Sequence, residues 1–187
     1  NFFEGFKNKP TNEYEIFSLK YYKIIHYAIL EKSKKKSKKL LIYNQGHGGN
    51  PYNYKYFIEL KNKFASEDYD IISLSMTGLG YNESDEINFP NYNPKFDPSL
   101  HDTYSMFLDP EFPNKKPLSL ILSGNYYLIK KILKQSQGRY DEVIMLGISG
   151  GGWYTTILSS LITEIDKSYS FAGTVPILFR LFDTNYG

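Results

Sequence analysis

The sequence predicts a three-layer α/β fold, a mainly parallel sheet with helices on both faces, and three observations predict it. Short apolar runs at 40–43, 70–75 and 143–146 lack the alternation of a half-exposed strand, as strands covered on both sides do. Segments with apolar residues at helical spacing stand between these runs, the order that builds a parallel sheet. Two of the runs lead into glycine-rich loops, at 45–50 and 147–152, and sites in such sheets lie at the carboxyl ends of strands.

The elements follow in order. Residues 15–22 and 23–30 are rich in Tyr, Ile and Phe and suit two opening strands. The lysine-rich run 32–39 has no interleaved aromatics, so it reads as a solvated turn between strands rather than a basic patch for an acidic partner. Leu40-Leu41-Ile42-Tyr43 is a buried strand. Phe57, Ile58, Phe64 and Ala65 fall near helical spacing, and 70–75 is the next strand. Residues 80–117 hold many of the prolines with Asn, Asp and aromatics, too long for an ordinary connection, and are expected to form a loop or cap excursion over a site. Leu118, Ile121, Leu122, Leu128, Ile129 and Ile132 mark a helix over 118–137 that Gly138 ends. Val143-Ile144-Met145-Leu146 is a third buried strand, Trp153, Ile157, Leu158, Leu161, Ile162 and Ile165 mark one face of a helix, and 169–175 is expected to be a further strand.

Composition bounds the function. The 187 residues, 41% hydrophobic and 22% charged, suffice for one packed domain spanning 1–187. Lys+Arg number 22 against 20 Asp+Glu, a net charge of +2, which removes the electrostatic reason to expect a nucleic-acid partner. With no Cys there is no disulfide, Cys-ligated zinc, iron–sulfur cluster or Cys nucleophile. No stretch approaches the roughly 18 apolar residues of a spanning helix, so a soluble protein is expected. The chain begins at Asn1 rather than Met, which leaves the compartment open between cytoplasm and export after removal of an upstream segment.

Gly147-Ile148-Ser149-Gly150-Gly151 fits G-x-S-x-G directly after a buried strand and before a helix. That context is what a nucleophile elbow requires: a strained turn holds the serine Oγ clear of the sheet, and glycines two positions either side avoid collision with neighbouring backbone. The competing readings are a turn that only joins strand to helix, or one that binds phosphate through its amides. Gln45-Gly46-His47-Gly48-Gly49-Asn50 offers the second amide of an oxyanion hole, the first being Gly150. In one register the donor is the His47 amide; in the other it is Gly48 or Gly49. The His47 side chain is read as orienting the loop, and His26 as a packed or edge residue of an opening strand. Phe89, Tyr92, Phe96, Tyr104, Phe107 and Phe112 in the excursion either line an apolar or carbohydrate-facing pocket or anchor the loop.

On 45–50, Thr77-Gly78-Leu79-Gly80 and 147–152, the chain resembles the α/β-hydrolase superfamily, in particular its esterase, acetyl-xylan-esterase-like and dienelactone-hydrolase-like branches, over roughly 14–180. The resemblance implies a Ser–acid–His triad with Ser149 as nucleophile. His26, His47 and His101 all precede Ser149, and residues 150–187 contain no histidine. Either the later strands, the acid and the histidine lie beyond Gly187, so that the domain as given is incomplete, or the fold lacks the usual base. The first reading is preferred, because a sheet ending one strand after the elbow leaves an edge and helix faces uncovered. Asp183 is a weak candidate acid, and a substitute base from His101-Asp102 would be unusual. The expectation is a serine hydrolase of carboxylic esters, acting on a small-molecule or carbohydrate ester, with no metal or organic cofactor. The alternatives are a peptidase or other acyl hydrolase on the same scaffold, or a binding domain without the triad histidine.

Overall fold

A computed structural model of the protein describes residues 13–21, 24–47, 49–82 and 117–173. Tyr14–Tyr21 (β1) and Ile24–Glu31 (β2) form an antiparallel pair, with Tyr21 opposite Ile24 and Tyr14 opposite Glu31. Lys39–Asn44 (β3), helix Lys55–Ser66 (α1) and Tyr69–Leu74 (β4) make the first parallel unit. Helix Pro117–Gln135 (α2) leads to Glu142–Ile148 (β5), and helix Gly150–Leu161 (α3) to Lys167–Phe171 (β6). Sheet order is β1-β2-β4-β3-β5-β6. β2 meets β4 antiparallel, and β4, β3, β5 and β6 run parallel.

The apolar runs are unalternated because each strand serves two cores. Leu40 and Ile42 of β3 and Val143 and Met145 of β5 join Ile72, Leu74, Leu128, Ile129 and Leu158 beneath α2 and α3. Their neighbours Leu41, Tyr43, Ile144 and Leu146 pack on the opposite face with Phe57 of α1. Side chains that alternate across a strand thus find apolar cover both ways, each fully buried one contributing about 1.5–3 kcal/mol. α2 ends at Gln135, two residues short of the expected 137, and the chain leaves it through left-handed Gln137 (φ 50°) and Gly138 (φ 73°).

Most boundaries shift by one or two residues from the sequence reading, and two of the shifts have a visible physical cause. The excursion does not begin at Gly80: Gly80–Asn82 form a 3-10 turn whose Tyr81 and Asn82 are buried. Asn82 is held there because its Oδ1 accepts from the Tyr27 amide (2.7 Å) and its Nδ2 donates to the Ser75 and Met76 carbonyls (2.8 and 3.2 Å). The last strand starts at Lys167, not Tyr169. Val143 and Asp166 already exchange hydrogen bonds (Asp166 N to Val143 O, 2.9 Å; Val143 N to Asp166 Oδ2, 2.7 Å), so pairing is established before the aromatic residues that mark the strand in the sequence. The rest of the expected excursion (83–116) and 174–187 lie outside the described residues. Among the described residues no helix is long and apolar enough to cross a membrane.

The connections place the site. From β3 the chain goes through α1 to β4 on one side, then returns through α2 to β5 on the other, with α1 on one face of the sheet and α2 and α3 on the other. The carboxyl ends of β3 and β5 therefore lie side by side, Asn44 opposite Gly147, at the switch of direction where such sheets open a crevice.

Candidate functional site

Both glycine loops open into this crevice. Ser149, between β5 and α3, has φ 55° and ψ −127°, a conformation that a residue with a Cβ adopts only at a cost of about 1–3 kcal/mol. Its backbone is held on both sides: its N–H donates to the Phe171 carbonyl of β6 (2.8 Å) and its carbonyl accepts from Trp153 N (3.2 Å). Its side chain makes no capping hydrogen bond and is exposed. The hydroxyl thus stands at the positive end of α3 without serving the helix.

Three glycines let the surrounding backbones meet. A Cβ on Gly147 would overlap the Gly151 carbonyl and lie 2.5 Å from Thr155 Oγ1; one on Gly151 would overlap the Asn44 carbonyl at the end of β3. One on Gly46 would lie 2.6 Å from Ile148 O and 3.0 Å from Ser149 Cβ. The first two are the glycines that the sequence reading placed for reasons of space. Gly46 is a contact it did not foresee: the loop after β3 rests directly on the serine.

The loop is fixed by its own bonds. Gln45 N–H donates to Leu74 O (2.9 Å), and Gln45 Oε1 accepts from the Tyr43 hydroxyl (2.8 Å), whose pKa burial pushes up to about 12. Gly49 N–H donates to Gly46 O (3.1 Å), and Gly49 O accepts from Ser75 Oγ (2.8 Å). The Gln45 and Gly49 amides are therefore committed within the loop and to the sheet. Among the described residues the Gly46 amide donates to no backbone carbonyl, and Gly150, as the first residue of α3, has an amide with no carbonyl a turn earlier in the helix to reach. His47 is half-buried, its Nδ1 3.0 Å from the position a Cβ on Gly150 would take. The structure thus brings Ser149, Gly150, Gly46 and His47 together. Gly48 lies outside the described residues, as do His101, Asp183 and the six excursion aromatics.

His26 is elsewhere. It lies on β2, separated from β5 by β4 and β3 in the sheet order, fully buried, with its ring so close beneath α2 that a Cβ on Gly124 would overlap it. Burial lowers its pKa to about 4, only partly countered by Asn125. It is the packed residue expected, not an edge one, because β1 takes the edge.

Behind the serine the exit of β4 is braced from several sides. The Ser75 carbonyl accepts from Asn82 Nδ2 (2.8 Å) and Asn125 Nδ2 (3.0 Å). Thr77 N–H donates to the Tyr154 hydroxyl (3.2 Å), which donates to Ile121 O (3.1 Å). Between them Met76 is 3% exposed. Sequence inspection passed over Ser75, Met76 and Tyr154, since nothing in a serine, a methionine or a tyrosine announces that it braces a loop. Among the described residues no group of three or more His, Asp or Glu could hold a metal ion.

No protein-family profile matches the sequence, and no curated protein matches it. Solved structures do match. Acetyl xylan esterase 1 from Thermoanaerobacterium sp. JW/SL YS485 is similar with a TM-score of 0.63 at 17% identity, over 87% of this chain and 49% of that one. The Pyrococcus furiosus esterase Pf2001 matches with a TM-score of 0.59 at 12% identity, over 90% of this chain and 53% of that one. Est1E from Butyrivibrio proteoclasticus matches with a TM-score of 0.53 at 12% identity, over 92% and 57%. The fold is α/β-hydrolase-like, and the chain spans about half the length of these structures.

Proposed function

We propose that the protein is a serine hydrolase of carboxylic esters in which Ser149 is the nucleophile. The observation that carries this reading is the backbone of Ser149, strained at φ 55° and ψ −127° with its exposed hydroxyl spared from helix capping. A residue that only joined a strand to a helix would be a glycine at that φ or would cap the helix, and a strained serine that does neither marks a functional position. Ser149 Oγ attacks the ester carbonyl, and the alkoxide leaves to give an acyl-enzyme that water then cleaves. The developing oxyanion is received by the Gly150 amide and by one from the loop after β3. The Gly49 amide is committed to Gly46 O, so the second donor is the His47 amide in the register preferred from the sequence and the Gly48 amide in the other. Donors already in place for the developing charge cost no reorganisation during the reaction. Ser149 passes its proton to a general base, and because residues 150–187 contain no histidine the test is made on the full-length protein.

Full-length protein is expected to react with a fluorophosphonate probe and to hydrolyse p-nitrophenyl acetate, and Ser149→Ala to lose both while melting close to wild type. Undiminished hydrolysis in a folded Ser149→Ala protein would overturn the assignment. The similarity to esterases supports the choice of ester over peptide as the first substrate to try.

A further inference from the structure

Met76 follows β4 by two residues and is buried beneath the elbow, its thioether directed at Gly150. A Cβ on Gly150 would be 2.6 Å from Met76 Sδ and 3.0 Å from its Cε, so the sulfur and terminal methyl are packed onto the Gly150 Cα. His47 Nδ1 closes the same space from the loop side, 3.0 Å from that position. The main chain that carries this side chain is fixed. Its carbonyl accepts from Leu79 N (3.1 Å) and Asn82 Nδ2 (3.2 Å), its neighbours Ser75 and Thr77 are bonded to Gly49, Asn125 and Tyr154, and its inner side belongs to the core beneath α2 and α3.

We infer that Met76 is a specificity-determining residue that limits the acyl group to a short chain. The inference rests on Ser149 and Gly150 acting as proposed above. In that reading the carbonyl oxygen of the substrate points at the Gly150 amide, and the acyl substituent leaves the same carbonyl carbon. Its first carbons must therefore pass close to whatever packs on Gly150. A buried thioether and an imidazole fill that space, whereas a glycine or alanine at position 76 would leave a channel running toward the apolar core of α2 and α3. A methionine suits this place because it is apolar and fills irregular gaps. Discrimination per methylene in an apolar pocket is about 10–200-fold, enough for one side chain to decide between a two-carbon and a six-carbon acyl group.

The test uses full-length protein and p-nitrophenyl acetate, butanoate and hexanoate, with kcat/KM measured for each. Wild type is expected to favour acetate over hexanoate, and Met76→Ala to shift the hexanoate-to-acetate ratio upward by about tenfold or more. Met76→Leu, which conserves volume, should keep the wild-type ratio. If Met76→Ala does not fold, Met76→Val, which lacks the Sδ–Cε end but fills the core side, replaces it. Equal rates on the three esters in wild type, or an unchanged ratio in a folded Met76→Ala or Met76→Val protein, overturn the inference while Ser149-dependent hydrolysis keeps the enzymatic reading. Hydrolysis that survives Ser149→Ala, or no hydrolysis of any of the three esters, overturns that reading and this inference with it.

Discussion

At the scale of the residue, the strain at Ser149 has a measurable cost. A glycine has no Cβ to disfavour φ 55° and ψ −127°, so Ser149→Gly relieves strain of about 1–3 kcal/mol, offset in part by the greater entropy of glycine in the unfolded chain. Ser149→Gly is expected to melt several degrees above Ser149→Ala, which keeps the strain, while both lack the hydroxyl and the hydrolysis that depends on it. Thermal unfolding followed by circular dichroism checks this; a Ser149→Gly protein melting below Ser149→Ala would show that the backbone is relaxed at this position. The sequence motif pointed to this serine, because G-x-S-x-G between a buried strand and a helix is a local pattern. It could not reveal Gly46 against Ser149 or Met76 against Gly150, because those contacts join residues from different strands.

At the scale of the element, the floor of the sheet is tied together by one buried carboxylate. Asp70, at the start of β4 and fully buried, accepts from Ser33 N (2.8 Å) and the Tyr140 hydroxyl (2.8 Å) and pairs with Arg139 (2.9 Å). It joins the lysine-rich turn, β4 and the connection from α2 to β5. Removing the carboxylate takes the acceptor from Ser33 N and the Tyr140 hydroxyl and leaves Arg139 with the Ser37 carbonyl (3.0 Å) but no counter-charge, and Asp70→Ala is expected to cost about 3 kcal/mol. The exposed pair Lys35–Asp68 (3.1 Å) is the contrast: Lys35→Ala should change stability by less than about 1 kcal/mol. Urea titration of both variants measures the difference, and equal effects would remove Asp70 as the clamp. The turn itself was legible as a solvated connection, since lysines without interleaved aromatics have no other local use. The clamp was not, because an aspartate inside an apolar run looks the same whether its partners are protein or water.

At the scale of the whole molecule, a buried histidine couples stability to pH. His26 titrates near 4 in the folded protein against an ordinary value of 6.5, so between these values the unfolded chain binds a proton that the folded one does not. Stability is therefore full above about pH 6.5, falls as pH drops toward 4, and loses no more through this group below that, a total of about 3 kcal/mol. His26→Leu should flatten the dependence between pH 6.5 and 4.5. Glu142 and Glu164, whose pKa values are held down by hydrogen bonds from Lys167 and Lys130, add their losses only at lower pH. Unfolding midpoints measured across pH 7.5 to 4.5 decide the matter: an equal slope in wild type and His26→Leu would assign the dependence to other groups.

The amino-acid sequence by itself determined the class of fold and the order of its elements. Burial on both faces leaves unalternated runs such as 143–146, and helices between them leave a 3.6-residue period, so both signals are local and survive in one dimension. It also marked the two glycine loops, since a tight turn needs glycine wherever the chain later goes. Only the tertiary structure decided that β3 lies beside β5 rather than at an edge, and hence that the two loops share one crevice with Asn44 opposite Gly147. It likewise decided that Gly80–Asn82 belong to the body of the protein and that β6 begins at Lys167. The physical reason is the same in each case: strand adjacency and its hydrogen bonds depend on partners distant in the chain, while propensity and periodicity report only on near neighbours.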